Sequence, residues 1–428
     1  MKVLVIGGGG REHALVWALR RSQRVSEVVC APGNAGIAQL ARCVSLEVND
    51  LQATVAIALA EQPGLVVIGP EVPLALGVVD ALQGLGIRVF GPTREAAQLE
   101  TSKVFAKEFM LRNDIATAAY ALCTTPDEVQ TALRSFSVPV VVKADGLAAG
   151  KGVVICNTHH EAEAAAMQMF SGDLLGVEEA NVVVEEFLSG EELSFFALCD
   201  GVTAVPIAAA QDHKRLGEGD TGPNTGGMGA YSTDDIMGGE MRAWLTANVA
   251  QRVVDGMQDQ WSEFRGVLFC GMMMVPTGHG TVRPMVLEFN TRFGDPETEA
   301  LMLRVETDLL DLLEASVDGT AHLLDVKTKP GASVCVIAAS DGYPGQYASG
   351  KVISGLESVG PEVVVFHCGT AETGGEVVTA GGRVLGVTAT SEAGLEDALG
   401  KVYRAMEKIE FDGMKYRRDI GWRALRDA

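Results

Sequence analysis

Over residues 1 to about 100, short apolar runs alternate with amphipathic stretches. Residues 3–6, 28–30, 65–68 and 88–90 read as strands, and 12–21, 51–61 and 74–85 as helices. Alternation of strand and helix specifies a parallel sheet covered on both faces. Gly69-Pro70 and Gly91-Pro92 follow two of the strands and end them at the carboxyl edge, where doubly wound sheets bind ligands.

Near residue 100 the pattern changes. Residues 102–112 form a helical pattern with Ser102 as N-cap, and a helix–strand module runs to about residue 186. From 192 to 275 the strands lengthen, read as antiparallel, and are interrupted by a glycine-rich segment. From about 326 a section reads as separate, with strands at 333–338, 363–367 and 383–388. Leu395, Leu399, Val402, Met406 and Ile409 then mark one face of a helix. A chain of 428 residues is too long for one ordinary core, and about three domains are expected. We place them at 1–100, 101–325 and 326–428, with no internal repeat and no low-complexity linker.

Composition narrows the class. Hydrophobic content of 47% with 50 glycines fits a soluble α/β enzyme. A net charge of −22 argues against non-specific nucleic-acid or anionic-membrane binding, so any phosphate site must be a local basic pocket. The eight cysteines include no C-x-x-C pair, which implies neither zinc nor a redox motif. Cys156, Cys199, Cys270 and Cys335 sit in apolar runs, as small core residues of a reducing compartment do. The first residues enter a strand without a leader-like segment, and no run of 18 apolar residues occurs, so a cytoplasmic location is expected.

The candidate chemistry concentrates in five segments. In residues 286–299, alternation turns Glu288 and Asn290 to one face of a strand, an arrangement of oxygen ligands that suits a hard cation. Arg292 and Asp295 follow, able to hold an anionic or zwitterionic substrate; the competing reading is a polar strand edge running into a turn. Gly7 to His13 opens a helix after the first strand, and either a phosphate or a tight turn fits it. A dinucleotide fingerprint fails, because Glu12 or His13 replaces the third glycine in either register. Residues 138–154 form strand, glycine loop and strand, with Lys143 on the strand and Lys151 in the loop. Gly152 stands where a Walker A loop needs Ser or Thr, so a flap over nucleotide phosphates fits better; a plain hairpin leaves both lysines unexplained. Residues 181–192 are a buried strand leaving the core at acids, which could pair with an adenine edge but, taken alone, is more often an exposed strand end. Gln211 to Arg215 and Asp220 to Ala230 combine Asp212, Lys214, Arg215 and Asn224 with a glycine density that makes sense where backbone meets a ligand.

These segments together resemble the phosphoribosylamine–glycine ligase family of ATP-grasp enzymes in purine biosynthesis. The resemblance rests on GGREHAL (9–15), APGNAG (31–36), KADGLAAGKGV (143–153), QDHKR (211–215) and DTGPNTGGMGAY (220–231). EFN-x-RFGDPET (288–298), DGYPG-x-Y (341–347), GGRVL (381–385) and DIGWRA (419–424) complete a series that runs in order over essentially the whole chain. Gly8 departs from the family's usual Asn or Ser, and Thr291 lies at a variable position.

The resemblance implies an α/β and α+β multidomain protein. Its parts are an N-terminal doubly wound parallel-sheet domain, a central ATP-grasp fold with a flap subdomain near 121–190, and a C-terminal α+β domain. It implies ligation of glycine to 5-phosphoribosylamine with ATP, through glycyl phosphate and with no covalent protein residue. Glu288 and Asn290 would bind Mg²⁺ or Mn²⁺. Lys143, Lys151 and Gly152, with Lys103, would hold ATP phosphates; Glu185, Glu186 and Leu188 would line adenine, and Glu192 the ribose. Asp212, Arg292 and Asp295 would serve glycine and the acyl phosphate, with backbone of Asn224, Thr225, Gly226, Gly227, Met228 and Gly229. The Gly9–Gly10 loop would hold phosphoribosylamine, and the turn at Gly381, Gly382 and Arg383 would close over the site. A monomer is expected. A carboxylase or formate-using ATP-grasp relative would lack the combined 211–215 and 220–229 segments, and a non-catalytic nucleotide binder would have lost Glu288, Asn290 or Lys151.

Overall fold

The computed structural model describes residues 1–147, 152–172, 181–260, 262–278 and 280–426. Strands β1 (Lys2–Gly7), β2 (Glu27–Pro32), β3 (Arg42–Cys43), β4 (Leu65–Ile68) and β5 (Val89–Phe90) form a parallel sheet in the order β3-β2-β1-β4-β5. Both faces of β1 are covered: Val3 and Val5 enter one apolar cluster, Leu4 and Ile6 the other. That double burial explains an unbroken apolar run where a half-exposed strand would alternate. Helix α1 (Gly10–Leu19) packs on this sheet, and α2 (Leu51–Glu61) is capped by Asp50, whose carboxylate accepts from Ala53 N at 2.9 Å. The helix expected over 74–85 is two pieces, α3 (Glu71–Ala75) and α4 (Val78–Gly84). Gly77 between them has φ +82°, which a continuous helix cannot contain.

Two short helices, α5 (Gln98–Thr101) and α6 (Lys103–Arg112), lead into a small antiparallel sheet. Its strands are β6 (Tyr120–Cys123), β7 (Val140–Ala144), β8 (Val153–Cys156) and β9 (Val182–Glu186), in the order β6-β9-β7-β8. Helices α7 (Pro126–Leu133) and α8 (His159–Phe170) cover one face of it.

The large sheet follows. In chain order its strands are β10 (Glu191–Asp200) and β11 (Ala204–Asp212), a side ribbon of β12 (Arg215–Gly217) and β13 (Thr221–Asn224), then β14 (Gly229–Thr233). Next come β15 (Arg265–Gly278), β16 (Thr281–Asn290), β17 (Ala332–Ala339), β18 (Val363–His367), the ribbon β19 (Thr370–Thr373) and β20 (Glu376–Thr379), and β21 (Arg383–Ser391). The order β16-β15-β10-β11-β14-β17-β21-β18 makes one eight-stranded sheet. The C-terminal strands extend the central sheet, and the halves join where Gln211 pairs with Tyr231 and Asp212 with Ala230.

Helices α9 (Gly239–Leu245) and α10 (Gln251–Asp259) were not expected within 192–275. Val253, Val254 and Met257 bury one face of α10 in an apolar core with Phe195, Leu268 and Phe289, so its helical period was present in the sequence. Helices α11 (Glu297–Arg304) and α12 (Leu309–Asp318) pack under the large sheet, while α13 (Leu395–Met406) and α14 (Trp422–Arg426) close the C-terminal part. No helix among the described residues is long and apolar enough to cross a membrane.

Candidate active site

The crevice between the ends of β1 and β4 is the ligand position of a doubly wound sheet. Here a protein carboxylate fills it. Glu12 accepts from Gly9 N at 2.7 Å and pairs with Arg11 at 2.6 Å. A methyl group added at Gly69 would lie 2.2 Å from Glu12 Oε1, and one added at Gly10 would lie 2.3 Å from Glu299 Oε1. Burial alone would lower the Arg11 pKa, but Glu12, Glu71 and Asp295 raise it and keep the guanidinium charged. At the Gly9–Gly10 loop, expected to hold phosphoribosylamine, the Gly9 N–H is engaged, and Glu12 and Glu299 lie close to the loop.

The small sheet faces the large one across a cleft. Lys143 of β7 donates from Nζ to the Leu287 carbonyl of β16 at 3.2 Å, joining the two sheets beside Glu288. The Glu185 carboxylate does not point freely at a base, because Lys107 and Lys143 each lie 3.0 Å from it. Glu186 is tied down twice, its carboxylate accepting from Ala119 N at 2.9 Å and its own N–H donating to Ala119 O at 3.0 Å. Its expected adenine contact is limited accordingly. Leu188 belongs to an apolar patch with Ala118, Met273 and Met285, a floor suited to a flat heterocycle. Lys103 begins α6, and its Nζ donates to Gly146 O at 2.9 Å. Asp145, which sequence reasoning passed over, accepts from Lys103 N at 2.6 Å and so fixes where that lysine starts. Gly152 closes the β7–β8 hairpin by accepting from Ala144 N at 2.8 Å. Lys151 lies outside the described residues.

On β16, Glu288 and Asn290 share a face. Burial pushes the Glu288 carboxyl up, but Lys214, Lys143, Lys103 and Arg292 outweigh it and hold the group below the usual carboxylate range. Among the described residues no hydrogen bond reaches its oxygens, so an ionised carboxylate stands ready for a cation. The Asn290 oxygen accepts from Arg292 at 3.1 Å. No cluster of three or more acidic, His or Cys ligands exists among the described residues. Two protein oxygens fit a cation completed by phosphates and water, which is how Mg²⁺ is usually held. Arg292 is less free than expected, since it also pairs with Glu100 at 2.9 Å and Glu71 at 3.4 Å. Thr291 N donates to Glu100 at 2.7 Å, so Glu100 fixes the whole Asn290–Arg292 turn.

Asp212 ends β11. Burial above all, with Glu297 and Glu192 adding and Lys214 opposing, pushes its carboxyl up to about 7. Lys214, also missed as a site residue, pairs with Glu192 at 2.9 Å and so occupies the carboxylate expected to meet ribose. The glycine-rich segment is ordered. Thr225 N donates to Lys214 O at 2.7 Å, Gly226 N to Tyr343 Oη at 2.9 Å, Gly227 N to Thr225 Oγ1 at 3.0 Å and Met228 N to His213 O at 2.8 Å. The amides of Thr225, Gly226, Gly227 and Met228 are thus engaged within the protein. Asn224 pairs with Arg215 in the ribbon, and Gly229 starts β14 opposite Val336. Arg383 reaches in from β21 to Asp295 at 2.8 Å and to the carbonyl of Gly226. The C-terminal turn therefore lies against Asp295 and the glycine-rich segment.

The signal for the missed residues was faint but present. Lys107 stands four residues after Lys103, on the same face of α6. Lys214 and Asp145 lie inside the motifs already singled out.

Comparison with known proteins agrees with this geometry. Three family signatures match in order: phosphoribosylglycinamide synthetase N domain over residues 1–100, its ATP-grasp (A) domain over 101–298 and its C domain over 333–423. The phosphoribosylamine–glycine ligase of Xanthomonas campestris pv. campestris is 50% identical over 428 residues, covering 99% of this chain and 98% of that protein. The crystal structure of the Thermotoga maritima phosphoribosylamine–glycine ligase superposes with a TM-score of 0.87 at 35% identity, covering 98% of this chain and 100% of that one. A biotin carboxylase from Campylobacter jejuni, at 14% identity and a TM-score of 0.75 over 98% of this chain and 93% of that one, shares the fold alone. With all three domain signatures in sequence and a relative of this identity along its whole length, the chain belongs to the phosphoribosylglycinamide synthetase family.

Proposed function

We propose that this chain is a carbon–nitrogen ligase that joins glycine to 5-phosphoribosylamine, cleaving ATP to ADP and phosphate, in purine biosynthesis. The observation that carries it is the Glu288–Asn290 pair, with an ionised carboxylate that no hydrogen bond from the described residues reaches, beside Lys143 from the opposing sheet. A carboxylate does not react with an amine unaided. One oxygen of glycine therefore attacks the γ-phosphorus, and the bond to ADP breaks. The amine nitrogen then attacks the glycyl carbonyl carbon, phosphate leaves with the electron pair, and the nitrogen sheds a proton.

Charge gathers on the transferring phosphoryl group, so positioned cations and dipoles do most of the work. A divalent cation, Mg²⁺ or Mn²⁺, held by Glu288 and Asn290, would supply neutralisation of the phosphate oxygens. Lys103 and Lys143 hold the phosphates, Leu188 and its neighbours the adenine, and Glu192 the ribose once it parts from Lys214. Asp212 takes the glycine ammonium. Arg292 orients Asn290, and Asp295, held by Arg383, faces the amine at the Gly9–Gly10 loop. All eight cysteines are free, in keeping with a cytoplasmic location.

The test is phosphate release with phosphoribosylamine generated in situ. Release should require ATP, glycine and phosphoribosylamine together, and support by Mg²⁺ and Mn²⁺ should be compared. Release that ignores glycine, or none at all with nucleotide still bound, rejects the reading.

A further inference from the structure

Two buried lysines share one carboxylate. Lys107 Nζ of α6 lies 3.0 Å from Glu185 Oε2, and Lys143 Nζ of β7 lies 3.0 Å from Glu185 Oε1. The three side chains are 3%, 8% and 2% exposed. One carboxylate is shared by two ammonium groups, and the nearby negative charge comes from Glu186 beside Lys107 and Glu288 beside Lys143. Lys143 is the member that borders the cleft, through the Leu287 carbonyl next to Glu288. Lys107 is anchored on the other side. Its Nζ donates to Thr117 Oγ1 at 2.7 Å, that hydroxyl donates to Val286 O at 2.7 Å, and the Tyr120 ring centroid is 5.7 Å away.

We propose that Lys107 is a positioning residue for ATP: it occupies one oxygen of Glu185, so that the carboxylate does not close on Lys143 and the Lys143 ammonium remains available to the nucleotide phosphates. The proposal rests on the reading of Lys143 as a phosphate residue. Without the Lys107 charge, Glu185 has a single cation to satisfy, and both of its oxygens turn to Lys143. The pair is then neutral and the phosphates lose their partner.

The surroundings supply a pH signature. Facing Lys107 are Glu185 and Glu186 from β9, Lys143 from β7, the Tyr120 ring from β6 and the Thr117 hydroxyl that leads to β16. Burial, only partly offset by Glu185 and reinforced by Lys143, pushes the Lys107 ammonium down to about 8. The charge is present below that pH and is lost as pH rises through it, so ATP affinity falls over the same interval.

The experiment is binding of a non-hydrolysable ATP analogue with Mg²⁺ to the full chain by calorimetry, from pH 6.5 to 9.5. Wild type is compared with Lys107→Met, Lys107→Arg and Lys143→Met. Wild-type affinity should drop several-fold around pH 8. Lys107→Met should bind about tenfold more weakly at pH 7 and show no inflection. Lys107→Arg, which keeps its charge throughout, should match wild type at pH 7 and also lose the inflection. An inflection that survives in Lys107→Arg, or wild-type affinity in Lys107→Met at pH 7, overturns the proposal. If Lys107→Met does not fold, the arginine variant decides alone. Undiminished binding by Lys143→Met would instead reject the phosphate assignment on which the proposal rests.

Discussion

Glu288 keeps its charge in a half-buried position because four cations face it, Lys214 foremost. Replacing it by Gln preserves shape and removes the cation ligand. Glu288→Gln should lower kcat/KM by roughly two to three orders of magnitude, the scale of losing one charge-stabilising group. Its thermal midpoint should not fall, since the carboxylate supports no described hydrogen bond; near-normal phosphate release would remove the metal assignment. Asp212 behaves oppositely, because burial neutralises it below about pH 7. A neutral carboxyl no longer attracts the glycine ammonium, so the KM for glycine should rise about tenfold per pH unit below 7. Asp212→Asn should show a high KM without that slope, and a wild-type KM that is level from pH 5.5 to 7.5 would contradict the role. Both residues were legible because they sit in motifs. Glu100 and Lys107 were not, because their meaning lies in partners from other segments, such as the Glu100–Thr291 contact across the fold.

Helix α6 begins on a side chain from elsewhere. Ser102 Oγ accepts from Phe105 N at 3.1 Å, as its N-cap position predicts, while Asp145 Oδ1 accepts from the amides of Lys103 and Val104. The cap therefore ties the helix to the loop after β7. Asp145→Ala should cost about 1–2 kcal/mol, typical of a lost N-cap, and should raise the KM for ATP by loosening Lys103. Thermal unfolding and ATP titration check the two halves, and a stability loss with an unchanged KM would confine Asp145 to a structural part. Elements were readable wherever one period dominated: 51–61 and 363–367 match their observed bounds. The break at Gly77 was hidden because α3 and α4 together keep an apolar face, and only the left-handed glycine divides them. Alternating strands dominate the region that contains α10, which obscured a helix of nine residues.

At the scale of the molecule, the N-terminal and C-terminal parts meet through two histidines. His367 N donates to His13 Nδ1 at 2.8 Å, and Asn34 donates to the His367 carbonyl at 2.7 Å. Burial above all lowers His13 to about 3, the second imidazole adding, and burial lowers His367 to about 4. Unfolded, both protonate near their ordinary value. Between pH 6.5 and about 4 the unfolded chain therefore binds more protons, and stability falls as pH drops through that window. At roughly 1.4 kcal/mol per pKa unit the pair makes the interface lose on the order of several kcal/mol. His13→Asn, whose amide oxygen can replace the lost acceptor, should flatten the acid limb in urea unfolding followed from pH 4 to 7; an unaltered limb would place its origin elsewhere. None of this junction was legible, because a contact between residues 13 and 367 leaves no local pattern.

The eight-stranded sheet is continuous: Gln211 pairs with Tyr231 and Asp212 with Ala230 where its halves join, and Met228 N donates to the His213 carbonyl beside them. Any tilt of the C-terminal block is delivered directly to Asp212, so the grip on the amino acid and the seating of that block are mechanically one event.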